Sequence, residues 1–270
     1  MKNYNKILEA INKGIRLALD DYEDMENNNS ISGKSDIIRN ENEIKARKNF
    51  WDLFVDLGLP SGTLWMKYNL GVNPNKLDNE EDWYGNYYAW GEIEEKPLYD
   101  KDSYIYSKPY EGNISYLMPS EVYTKYNKID CKQKLDLEDD AAYMNNPYKM
   151  FGNICTPTAN QFDELLKYTI HDNTTEIHDY MGVRCLNGKK LKSIINGNEI
   201  FFPYSGIKIA SNEFERFGHR DRGYFMCSRI YPEKYDWAGY DLQLFASGFS
   251  SVDTLLRQYG RPVRPVLMKK

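Results

Sequence analysis

The sequence predicts a mixed α+β fold, with a helix at the N-terminus leading into one loop-rich domain. Three observations carry this. Apolar residues recur at helical spacing over residues 4–22. From Asn49 onward the apolar runs become short and are broken by Gly, Pro and Asn. Two helix signals interrupt those runs in the middle of the chain. The expected organisation is a docking or oligomerisation helix over 1–25, a polar linker over 26–50 and a globular domain over 51–270.

Taken in order, Tyr4, Leu8, Ile11, Ile15, Ala18 and Tyr22 form a heptad seam, and Ile7 and Leu19 widen it. Gly14 weakens this helix by up to ~1 kcal/mol. An isolated helix of this length is marginal in water, so it calls for a partner. The candidate docking residues are Leu8, Ile11, Ile15, Ala18, Leu19 and Tyr22. The seam is compatible with a homo-oligomer such as a trimer, and equally with docking to a different protein. Asp20, Asp21, Glu23 and Asp24 stand at the unfavourable end of the helix dipole. Residues 26–48 are polar and Asn-rich, with a short helix expected near Glu41–Lys48.

The stretch VDLGLPSGTLW (55–65) reads as a β-hairpin, with strands over Phe54–Leu59 and Leu64–Leu70. Pro60 presets the second turn position, and Gly62 suits the fourth position of a type I turn. WYGNYYAWGE (83–92) is aromatic on both parities, as expected of a buried strand or loop. A short helix is expected over Leu137–Asn145, with Ala141 and Met144 inward. A second helix begins at Thr158, where Gln161 completes a capping box, and carries Phe162, Leu165, Leu166 and Thr169 at helical spacing. Strands are expected over Glu199–Tyr204, Gly223–Ile230, Leu242–Ala246 and Pro262–Leu267. Asn187-Gly188 and Asn196-Gly197 read as hairpin turns. The rest of Ile209–Tyr240 reads as extended loops.

Composition narrows the function classes. The chain has 270 residues, 41% hydrophobic and 28% charged, enough for a packed core. A net charge of −5 argues against non-specific nucleic-acid binding. No apolar run approaches the ~20 residues of a membrane span, so no membrane insertion is expected. The N-terminus lacks the features of a signal peptide, which points to synthesis without export. The 23 tyrosines suit half-buried sheets and recognition surfaces alike. Cys131, Cys155, Cys185 and Cys227 show no C-x-x-C spacing, and His171, His178 and His219 are scattered, so no metal site is expected.

Seven short motifs, VDLGLPSGTLW, WYGNYYAWGE, LDLEDDAA, CTPTANQFDELL, IFFPYSG, RGYFMCS and YGRPVRPVL, occur in an order that resembles the Fibrobacter major paralogous domain and its relatives among gut Bacteroidetes and phage proteins. The resemblance covers roughly 55–267. It implies a C-type-lectin-like domain: a small curved antiparallel sheet, two helices and long loops, with 55–68 meeting 262–267. The stretch before CTPT departs from the family's Trp-rich pattern and reads NNPYKMFGNI. The sugar-binding Glu-Pro-Asn and Trp-Asn-Asp signatures are absent, so calcium-mediated sugar recognition is not supported, and neither is the cysteine pair of formylglycine-generating enzymes. NKILEAINKGIRLALDDYED also resembles the leader of crAss-like phage proteins that carry this domain, which implies a docking peptide on a virion component.

Candidate chemistry is sparse. Glu138, Asp139 and Asp140 could bind Ca²⁺ only if other oxygens converge on them; no cofactor is otherwise expected. Asp172, His178, Asp179 and Cys185 lack the surroundings of a catalytic nucleophile. The stretch 214–240 is rich in Tyr, Trp and Arg, the residues that dominate binding hot spots. Arg229, Tyr231, Tyr235, Trp237 and Tyr240 are the candidate ligand-binding residues. The expectation is a non-enzymatic virion component, an adhesion or head or tail fibre protein, whose partners are other virion proteins, further copies of itself and a host-surface polysaccharide. The alternative is a bacterial surface or periplasmic lectin-like adhesin.

Overall fold

The computed structural model describes residues 33–108, 123–171, 178–180, 183–185, 187–209, 221–231 and 237–268. The chain divides into two compact units, Met1–Asn49 and Phe50–Lys270. The heptad residues Leu8, Ile11, Ile15, Ala18, Leu19 and Tyr22 lie outside the described residues. The described part of the first unit is helical and belongs to α1 (Gly33–Asp52), far longer than the short helix expected near Glu41–Lys48. Its interior holds Lys, Arg, Glu, Ala and no Pro, which favours helix. Glu43 and Arg47 pair one turn apart at 3.5 Å. Ile44 is 61% exposed.

The second unit opens at Phe50, which is fully buried and touches the rings of Phe54, Tyr148 and Phe151. The first hairpin follows, with β1 (Phe54–Asp56) antiparallel to β2 (Leu64–Met66). Both strands are shorter than expected. Gly62 N donates to the Leu59 carbonyl at 2.7 Å and closes the Pro60–Ser61 corner. β3 (Tyr87–Tyr88) comes next. A 3₁₀ turn over Leu137–Asp139 leads into α2 (Ala141–Met144). The single helix expected there is broken at Asp140, whose extended backbone lets its carboxylate cap Ala142 N and Tyr143 N. Ala141 and Ala142 face inward as a result, and Met144, expected inward, is 36% exposed.

β4 (Ile154–Cys155) precedes α3 (Ala159–Lys167). The capping box is present: Gln161 N donates to Thr158 Oγ1 at 3.3 Å, and Thr158 N donates to Gln161 Oε1 at 2.9 Å. The helix buries Phe162 and Leu165 and stops at Lys167, so Thr169 belongs to β5 (Thr169–His171). Then come β6 (His178–Tyr180), β7 (Val183–Cys185), β8 (Gly188–Ser193) and β9 (Glu199–Pro203). The connection from β8 to β9 spans residues 194–198, longer than the tight turn expected at Asn196-Gly197. At the other expected turn, Asn187 has a φ of 46° and Gly188 opens β8. β10 (Arg222–Ile230), β11 (Ala238–Phe245) and β12 (Ser250–Leu256) form one sheet. β11 starts in the region expected as loop, and β12 was not expected at all. β13 (Arg261–Pro262) and β14 (Val266–Leu267) replace the single last strand, because neither Pro262 nor Pro265 has an N–H for a ladder.

The domain is mixed α+β, with few helices and several small antiparallel sheets. The main sheet runs β1-β2-β14-β4. Val266 pairs with Trp65 on one side and Cys155 on the other, so the first hairpin and the last strand meet as expected. The hairpin is pinned on α3 as well. Ser61 N donates to Glu164 Oε1 at 2.8 Å, and the Ser61 hydroxyl donates to the same carboxylate.

Two large apolar clusters fill the domain, beside a small third one of Tyr68, Leu77, Trp83 and Phe201. Leu57, Leu59 and Trp65 join Phe162, Leu165, Phe202, Phe225, Leu242 and Leu244 in one of them, between hairpin, α3 and sheet. The other large cluster draws heavily on loops and short elements and holds Tyr84, Tyr87, Tyr88, Tyr99, Tyr104, Tyr106, Tyr123 and Tyr126 around Trp90. Loops bury carbonyls that have no ladder partner, and a buried carbonyl needs a donor. Tyr87, Tyr99, Tyr104 and Tyr106 supply hydroxyls to the carbonyls of Ser205, Tyr87, Trp90 and Gly91. The tyrosine excess thus serves the fold of this cluster.

Candidate functional site

β10 and β11 pair regularly from Arg222 opposite Phe245 to Met226 opposite Asp241, lose register, and meet again at Ile230 opposite Gly239. Cys227, Ser228 and Arg229 therefore stand against the single residue Tyr240. Such a bulge bends the strand and frees its main chain from the ladder. Other segments take up the freed groups. Ser228 N donates to the Pro157 carbonyl at 2.7 Å, and Trp90 Nε1 donates to the Cys227 carbonyl at 2.8 Å. Leu135 N donates to the Ser228 carbonyl at 2.9 Å, and Ile230 N donates to the Gln133 carbonyl at 3.0 Å. Segment 133–135 is thereby laid along the bulge, with Lys134 directly opposite Arg229 in an antiparallel bridge.

The bulge turns Arg229 outward from a strand that is otherwise largely buried. Arg229 Nη2 donates to Gln133 Oε1 at 3.2 Å. Lys134 is exposed too. Nearby cations are neutralised: Lys132 pairs with Asp136 at 2.5 Å, and Lys125 pairs with Asp136 at 3.1 Å. Among the described residues, neither Lys134 nor Arg229 forms an ion pair.

The structure gathers three of the expected ligand-binding residues here. The rings of Tyr231 and Tyr240 meet edge to face, with centroids 5.5 Å apart, and both are half-buried. Tyr231 N donates to the Ala238 carbonyl at 3.0 Å, and Tyr240 lies against the sheet-and-helix cluster together with Cys155. Trp237 packs against the tyrosine-rich cluster instead. Tyr235 lies outside the described residues. Sequence reasoning missed Gln133 and Lys134, because no local pattern marks 133–135 as a strand's neighbour. The arrangement places two half-buried rings and two exposed cations at one break in register, a combination suited to binding.

The other candidates are occupied in the fold. Asp140 is buried and accepts from Thr156 N and Thr156 Oγ1 as well as capping α2; burial raises its pKa. Asp139 accepts from Lys125 Nζ and the Tyr126 hydroxyl. Burial, with the charge of Asp140 adding to it, pushes the Cys155 thiol up to about 12. Burial pushes Cys227 up to about 12 as well. Such thiols are poor nucleophiles near neutrality. Burial lowers the pKa of His171, whose Nε2 lies 3.2 Å from the Leu166 carbonyl. The backbone register sets His178 opposite Cys185, and Asp172 lies outside the described residues. Among the described residues no group of three or more His, Cys, Asp or Glu is placed to hold a metal, and no helix is long and apolar enough to cross a membrane.

A second charged cluster lies inside the molecule. Asp241 and Arg261 are both 0% exposed, with a carboxylate oxygen 4.0 Å from Nη1. Gln243 Nε2 donates to Asp241 Oδ1 at 3.2 Å, whereas Asp241 Oδ2 and Arg261 Nε and Nη1 have no hydrogen-bond partner. Loss of water raises Asp241 to about 7 against the pull of Arg261, and burial lowers Arg261. Having no exposed surface, this pair acts on the fold and not on an outside ligand. No protein-family model, curated protein or solved structure matches the chain.

Proposed function

We propose that this chain is a non-enzymatic binding protein: an adhesion or structural component of a phage virion. In this reading its N-terminal helix docks it to other virion proteins or to further copies of itself. The domain over 51–270, proposed to be C-type-lectin-like, holds a host-surface polysaccharide. The virion setting and the lectin-like architecture rest on the sequence resemblance.

The binding half is supported by one observation above all. A bulge in β10 collects Arg229, Tyr231 and Tyr240 beside Lys134. Bulges of this kind re-aim side chains at functional positions, and Tyr and Arg present large, stiff surfaces with directional donors. The buried thiols and the structurally occupied Asp139 and Asp140 favour binding over turnover.

The test is an array of purified bacterial surface polysaccharides, probed with the full chain and with a Tyr231→Ala/Tyr240→Ala variant. The expected result is retention on at least one polysaccharide, weakened at least tenfold in the variant. Retention on none, or equal retention of both proteins, would overturn the reading.

A further inference from the structure

Cations directly opposite each other across a β-bridge repel, and such a pair is normally avoided or neutralised. Lys134 and Arg229 are placed this way. The chain is acidic overall and supplies carboxylates to the neighbouring Lys125 and Lys132, but among the described residues it supplies none to this pair. The bulge, not the hydrophobic pattern, holds the two cations together. Arg229 is further fixed by Gln133, a neutral acceptor that leaves its charge uncompensated. The tyrosine pair stands at the same break in register.

From this juxtaposition we infer that Lys134 and Arg229 read the negative charge of the ligand, so that the polysaccharide bound here is acidic, carrying carboxylates on its sugars. Arg229 offers a planar fork that matches a carboxylate, and Lys134 adds a mobile point charge beside it. The faces of Tyr231 and Tyr240 would pack against the sugar rings between the acid groups. The inference rests on the polysaccharide-binding reading and adds the charge of the ligand to it.

Polygalacturonate serves as the acidic probe and dextran as the neutral one, with the full chain immobilised. The wild type is expected to hold polygalacturonate more tightly than dextran and to lose at least tenfold in affinity between low and high salt, since exposed charges are screened. An Arg229→Gln/Lys134→Gln variant is expected to lose at least tenfold for polygalacturonate while its far-ultraviolet circular dichroism and melting curve stay unchanged. Equal binding of polygalacturonate by variant and wild type, or binding indifferent to salt, overturns the acidic inference. If the array finds a neutral polysaccharide whose retention needs Tyr231 and Tyr240 but not the two cations, polysaccharide binding stands and this inference alone falls. A polymer captured only through a partner protein or nucleic acid overturns it as well.

Discussion

The C-terminal run from Arg257 to Arg264 and the bulge of β10 both carry cations, and they hold them in opposite ways. Arg257 is fully buried. It donates to the Tyr104 hydroxyl at 3.0 Å and to the carbonyls of Tyr126 and Lys125 at 2.9 and 3.0 Å, and it lies over the Tyr123 ring. Arg264 is buried as well. It donates to Asn69 Oδ1 and to the carbonyls of Met66 and Lys67, above Phe202. These guanidinium groups tie loops and hairpin to the last strands. At the bulge, Arg229 has one neutral acceptor and faces a lysine. Motif similarity alone would weigh all these arginines alike. What separates a structural cation from one open to a ligand is whether buried main-chain carbonyls already hold it.

The largest expected effect comes from breaking the buried side. Arg257→Ala removes at least three hydrogen bonds from a charged donor, each contributing about 1.5–3 kcal/mol, and opens a cavity among tyrosines. A loss of about 4 kcal/mol or more in urea denaturation is expected. A loss under about 1 kcal/mol would erase the distinction between the two regions.

The next effect concerns Arg261, the least satisfied of the buried arginines. Its partner Asp241 has a folded pKa near 7, above an unfolded value of about 3.9. The folded state therefore favours the protonated acid. That contribution is full below the unfolded pKa and is lost as pH rises through about 7. Between about pH 5 and pH 8 the wild type is expected to lose a few kcal/mol relative to Asp241→Asn. The slope is the readout, because Asn also removes the counter-charge of Arg261. Parallel stability–pH curves would show that the carboxylate stays ionised throughout.

The smallest effect belongs to the bulge. Arg229→Gln with Lys134→Gln is expected to leave the melting transition within about 0.5 kcal/mol of wild type, as for other surface changes. A large loss would mean that these cations hold the fold together after all, and the two regions would no longer differ.

How much of this was legible follows from how local each signal is. The Pro60–Gly62 corner and the Thr158–Gln161 capping box are complete within a few residues, and both stand where the sequence puts them. The break at Asp140 was missed, because its carboxylate is drawn by Thr156, a residue the helical pattern does not include. β12 was missed because Ser250–Leu256 has no strong alternation. Its strand character comes from pairing with β11. At the candidate site, Arg229, Tyr231 and Tyr240 were legible as residue types suited to recognition. The bulge that collects them was not, nor was the approach of Lys134, since both depend on pairing between distant segments.

The central place of β14 also bears on how the protein folds. Val266 lies between Trp65 and Cys155, so the main sheet has a gap at its middle until residues 266–267 are in place. Contacts of such long sequence separation form slowly. Until they do, the facing edges of β2 and β4 lack a partner and are open to wrong pairing. A sheet whose middle strand comes from so far along the chain trades early pairing for a late, central one.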